Sequence, residues 1–207
     1  MEESQSLADG FGFYYLEHDN LPLSEKHNAL LTASRDISWD YLLLIGSDTL
    51  CSPGILDVYK PALESGVDWC GFRDLYFYDH RRLYYFKGYG SSRDDTLGAG
   101  RMFSRKTVEL ADYRLWPREA NRGLDWMTAQ LLKEKLHQHE HHIRFRTHTP
   151  HIVHDEYMVE LRSEVNVTKL KYWARTGFRE IHPVPEKVQR MLGDFHYPQS
   201  RMGRQPK

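Results

Sequence analysis

Asp48 stands where an apolar run ends. Tyr41 to Ile45 reads as a strand buried on both faces, Gly46 stops it, and Ser47 and Asp48 follow. Ser52 and Pro53 then have the form of a helix cap followed by a first-turn proline. In open α/β sheets, ligands bind at the carboxyl ends of strands. A carboxylate there can hold a divalent cation, and the cation can hold a diphosphate. The same aspartate also suits a plain turn at a strand end, and this stretch alone does not separate the two uses. A second group is His137-Gln138-His139-Glu140-His141-His142, in which His137 and His141 lie one helical turn apart. Zinc can use that spacing. A surface helix end offers a simpler use, because histidine there complements the helix dipole.

The elements that must carry these groups follow from pattern. Residues 1–10 read as a flexible start and Phe11 to Glu17 as a loose strand. Ser24 is placed to cap a helix running to about Ser34. The spacing predicts a helix from Pro53 to Ser65, interrupted by Pro61 and closed by Gly66. Val67 to Phe72 is a predicted strand. Leu75–Tyr78 and Leu83–Phe86 are aromatic, β-rich runs separated by four residues, the pattern of a hairpin. Met102-Phe103 is a short strand before a helix capped by Ser104. Leu124, Met127, Leu131, Leu132 and Leu136 mark a longer helix. Ile143–Arg146 and His151–Val153 read as short strands. Glu160 to Trp173 reads as extended at first and helical at its end. The tail beyond residue 181 is rich in proline and arginine, with one short helix expected over Glu186–Leu192. Alternating helices and strands predict an α/β fold with a mostly parallel sheet, helices on both faces and an added antiparallel hairpin.

Composition narrows the classes. The 207 residues suffice for one domain, expected over 1–181, followed by the 182–207 tail. A net charge of −1 gives no general attraction to nucleic acid or to an anionic membrane surface. No apolar run is long enough to span a bilayer. The acidic start, Met1-Glu2-Glu3, does not read as a signal peptide, and two cysteines make no disulfide framework, so a cytoplasmic location is expected. Thirteen tyrosines and five tryptophans suit sugar or base contacts as well as core packing.

Three segments fall in an informative order. They are Asn20-Leu21-Pro22-Leu23-Ser24-Glu25-Lys26-His27-Asn28, Trp39 through Gly46-Ser47-Asp48-Thr49, and Gly98-Ala99-Gly100-Arg101 through Arg122-Gly123-Leu124-Asp125. Over roughly residues 11–170 this order resembles the family 2-like glycosyltransferases of the GT-A fold, in particular a bacterial and bacteriophage branch. The resemblance implies inverting transfer of a sugar from a nucleotide diphosphate sugar to an acceptor hydroxyl. It implies Asp125 as the catalytic base and Asp48 at the metal and diphosphate. Lys26, Asn28 and Ser47 fall on the nucleotide side, and Gly98, Gly100 and Arg101 border a sugar. An aspartate in a first helical turn is also favoured by the helix dipole alone.

The pattern departs from the family in two places. The usual acidic motif ends in two carboxylates, whereas Thr49 follows Asp48 here, which thins a site for Mg²⁺ or Mn²⁺. His154 is a candidate to compensate as a second metal ligand. Glu160 stands where the family usually has aspartate. The family also opens with a strand–helix–strand unit, and such a βα unit needs roughly thirty residues. That unit is expected to be missing here, leaving a sheet edge open to pairing with a second copy. The alternative expectation is an inactive GT-A remnant serving as a binding or structural module. A nucleotidyltransferase would need a basic glycine-rich loop at the front, and the sequence has none.

Overall fold

The computed structural model describes residues 2–79, 81–88, 95–139, 142, 144–148, 152–162, 178–181 and 183–193. The chain divides into two compact units, one of residues 1–42 with 103–144 and the other of residues 43–102 with 145–207. The strands make two sheets, one of four strands and one of five, and the class is mixed α/β.

The first unit is mainly helical. It contains α1 (Glu2–Gly10), α2 (Leu23–Ala33), α4 (Arg105–Leu110) and α5 (Leu124–Gln138). Leu31, Val108, Leu115, Leu132 and Leu136 are fully buried. The expected spacing of α5 holds, because Leu124, Leu132 and Leu136 recur on its buried face. Ser104 caps α4 as expected, accepting a hydrogen bond from the Thr107 N–H. Ser24 does not cap α2. The cap position is Pro22, and Ser24 lies buried in the first turn. The front of the chain is also corrected: residues 2–10 are helical, and 11–17 form no strand. Phe11, Phe13 and Tyr14 are exposed, so their loose alternation has no sheet face to fill.

The second unit holds the five-stranded sheet, in the order β2 (Thr49–Cys51), β8 (Met158–Leu161), β4 (Leu75–Tyr78), β5 (Leu83–Phe86), β9 (Phe178–Ile181). Three of its pairings are antiparallel, and only β4 with β8 is parallel. β3 (Trp69–Phe72) and β7 (Phe145–His148) pair in parallel in the other sheet. The expectation of a mostly parallel sheet is therefore corrected: antiparallel pairings are in the majority among those of the second unit. The hairpin is as expected, with Leu75 opposite Phe86 and Tyr78 opposite Leu83.

Helix α3 (Ile55–Glu64) runs through Pro61 without a break and stops before Gly66, whose φ is +65°. Its start differs from expectation. Gly54 is the cap residue, and Ser52 is a buried brace whose Oγ donates to the Asp155 carbonyl at 2.6 Å and accepts the Tyr157 N–H at 3.0 Å. The expected tail helix is present as α6 (Glu186–Gly193), and its Val188 packs into a core with Tyr76, Leu83, Tyr157 and Val159. The boundary between the units passes through β1 (Tyr41–Leu43) and β6 (Met102–Ser104). β1 is only half-buried along its length, not buried on both faces. His141, His151 and the stretch 163–173 lie outside the described residues.

Candidate functional site

In the first unit, the start of α2 is stitched to the loop that leads into α5. The Leu23 N–H donates to Asn121 Oδ1 at 2.8 Å, and the Ser24 N–H donates to the Ala120 carbonyl at 3.0 Å. The Ala120 N–H returns a bond to Ser24 Oγ at 3.0 Å. Asn28 completes the seam. Its Nδ2 donates to the Trp116 carbonyl at 2.9 Å, and its Oδ1 accepts the Trp116 N–H at 3.2 Å. Asn28 is 3 % exposed. Both ends of its amide are bonded to backbone, so Asn28 holds this seam together.

The seam fixes two further side chains. The His27 ring lies 4.8 Å from the Trp116 ring, tilted at 60°. Asp125, half-buried, occupies the first turn of α5 after Gly123, whose φ of +66° gives the chain its entry angle. Asp125 is close enough for its charge to act on His27. Burial holds the imidazole below its ordinary range, and the Lys26 ammonium adds to this, while Asp125 pulls the other way. His27 is thus neutral at pH 7, and its buried Nδ1 finds no hydrogen-bond partner among the described residues. Lys26 is half-buried and donates to Asn20 Oδ1 at 2.9 Å. A half-exposed carboxylate beside a neutral imidazole can take up a proton, and the nearby ammonium can meet an anion.

In the second unit, Asp48 lies within a tight turn in which the Thr49 N–H donates to the Gly46 carbonyl at 3.1 Å. The Asp48 carboxylate folds back over this turn. A Cβ on Gly46 would lie 2.6 Å from Asp48 Oδ1, so a side chain there would push the carboxylate aside. Asp48 is half-buried and Ser47 exposed. Strand β2, not a helix, begins directly after Asp48, so the expected order of strand, acidic loop and helix is corrected. The Asp48 carbonyl accepts the Leu161 N–H at 2.7 Å, which brings β8 alongside. On β8, Glu160 lies opposite Thr49. Just beyond the strand, the Arg162 guanidinium pairs with the Glu160 carboxylate and lies 4.6 Å over the Phe77 ring. Arg162 Nε and Thr49 Oγ1 are buried and have no hydrogen-bond partner among the described residues.

The glycine segment lies beside the strand that leads into this turn. The Gly100 N–H donates to the Leu44 carbonyl and the Leu44 N–H to the Arg101 carbonyl, each at 2.9 Å. Gly98 closes the segment by accepting the Arg101 N–H at 3.1 Å. Gly100 has φ +73°, and a Cβ there would lie 2.7 Å from Met158 Sδ and 2.9 Å from Phe72. Its glycine therefore serves packing. Arg101 is 2 % exposed and paired with equally buried Asp95 at 2.7 Å, with Nε donating to Thr96 Oγ1 at 2.8 Å. Arg101, expected to border a sugar, forms an internal ion pair in the structure.

His154 is exposed in a short 3₁₀ turn, Ile152–His154, and the carbonyl of the next residue, Asp155, accepts from Ser52. Among the described residues no three of His, Cys, Asp and Glu gather to hold a metal ion. Sequence reasoning missed His27 and Arg162. The Glu160-Leu161-Arg162 alternation, which puts both charges on one strand face, was the available signal for Arg162. No protein-family model matches the chain, and no curated protein or solved structure matches it significantly.

Proposed function

We propose that this chain is an inverting glycosyltransferase that moves a sugar from a nucleotide diphosphate sugar to an acceptor hydroxyl. The observation that carries the reading is the half-buried Asp125 at the start of α5, beside a neutral His27. In this reading the acceptor oxygen attacks the anomeric carbon while its proton passes to the Asp125 carboxylate. The bond from that carbon to the diphosphate oxygen breaks, and the diphosphate leaves with the electron pair. Lys26 offers positive charge to the donor, and the family resemblance assigns Ser47 and Asp48 to its diphosphate.

Asp125→Asn keeps the size of the side chain and removes the base. Sugar transfer should fall by about 10²-fold or more, the usual worth of a positioned base, with donor affinity unchanged. Unchanged turnover in a radiolabelled-sugar transfer assay would remove the assignment. A binding module without turnover is the second reading, favoured by the internal commitment of Asn28 and Arg101. Donor binding without transfer by the unmodified protein would select it.

A further inference from the structure

The second unit also holds a cleft that shares no residue with the Asp48 turn or the glycine segment. It offers about 250 Å³, open to solvent on one side, between α3 and the paired strands β3 and β7. Val58, Pro61 and Ala62 of α3 form an apolar wall, with Cys70 of β3 opposite. Parallel register sets Cys70 beside Arg146 and Phe72 beside His148. Alternation along β7 puts Arg146 and His148 on one face, two residues apart.

The charges at this cleft are unequal. His148 Nε2 lies 3.5 Å from the Glu156 carboxylate. Arg146 lies exposed at the rim and has no carboxylate partner among the described residues. Cys70 adds no negative charge, since burial pushes its thiol up to about 12 against the pull of Arg146. A ring-sized, mainly apolar cleft therefore opens onto a guanidinium with no carboxylate partner among the described residues. An apolar cavity of roughly 150 Å³ is enough for benzene. A planar carboxylate matches the guanidinium fork in two hydrogen bonds.

We propose that this cleft binds a small monocarboxylate with a compact apolar body, such as an aryl carboxylate. The ring lies on Val58, Pro61 and Ala62, and the carboxylate meets Arg146. Glu156 near His148 repels a second negative charge, so a dianion is disfavoured. The site does not depend on the transferase reading, and its probes are not nucleotide sugars.

The test is a titration of the full chain with benzoate, followed by amide ¹⁵N–¹H correlation spectra. Saturable shifts at Cys70, Gly71 and Thr147 with a Kd of ~1 mM are expected for so small a ligand. Benzyl alcohol, and benzoate on Arg146→Gln, should bind at least tenfold more weakly. Ala62→Leu should fill the chamber and abolish binding of both probes. No saturable shift at these residues in the unmodified protein would overturn the site. Equal affinity for benzoate with Arg146→Gln, or for benzyl alcohol, would overturn recognition of the carboxylate.

Discussion

Asn28 uses both ends of its amide on the Trp116 backbone, and that is what holds the ring of Trp116 beside His27. Asn28→Ala would strand a buried N–H and C=O together. A loss of about 1–3 kcal/mol of stability is expected in urea denaturation. A stability equal to that of the unmodified protein would show that water reaches the seam. His27 gives a separate prediction. Its folded-state pKa lies below the ordinary 6.5, so below that pH the unfolded chain takes up a proton that the folded chain refuses. His27 therefore lowers stability as pH falls through 6.5 toward the folded value. His27→Gln should lose less melting temperature than the unmodified protein between about pH 7.5 and 5.5, the range that brackets a free histidine. Matching acid slopes would contradict this. Asp48, Asp125 and Lys26 stand out as candidate chemistry because a strand end and the first turn of a helix are places where a charge can meet a ligand. The internal bonds of Asn28 and Arg101 were not legible, because burial depends on partners that the local sequence does not name. For Asn28, that partner is Trp116, 88 positions away.

At the scale of elements, the β4–β5 hairpin and helix α5 were legible because short-range pattern specifies both. Aromatic runs pair across a turn, and leucines recur at helical spacing. The direction of the sheet was not legible, since β2 and β4 both take the distant β8 as a partner. Ser52 has the look of a cap, yet the same long-range approach draws its hydroxyl to Asp155 and Tyr157. The glycine segment illustrates the energetic side. Gly100 combines a left-handed backbone with contacts that leave no room for a Cβ, and its carbonyl accepts the Tyr59 hydroxyl at 2.6 Å. Gly100→Ala should cost about 1–3 kcal/mol through strain and overpacking, read as a lower urea midpoint with unchanged slope. A midpoint shift near zero would show that Met158 moves aside freely.

For the whole molecule, no helix among the described residues is long and apolar enough to cross a membrane, and the net charge of −1 gives no broad attraction to polyanions. The transferase reading then assigns donor recognition to particular groups, Asp48 among them. Calorimetric titration with UDP-glucose, UDP-N-acetylglucosamine and GDP-mannose tests this most directly. The transferase account predicts saturable binding of at least one at micromolar concentration, and at least tenfold weaker binding of that donor by Asp48→Ala. Silence for all three at millimolar concentration would contradict it.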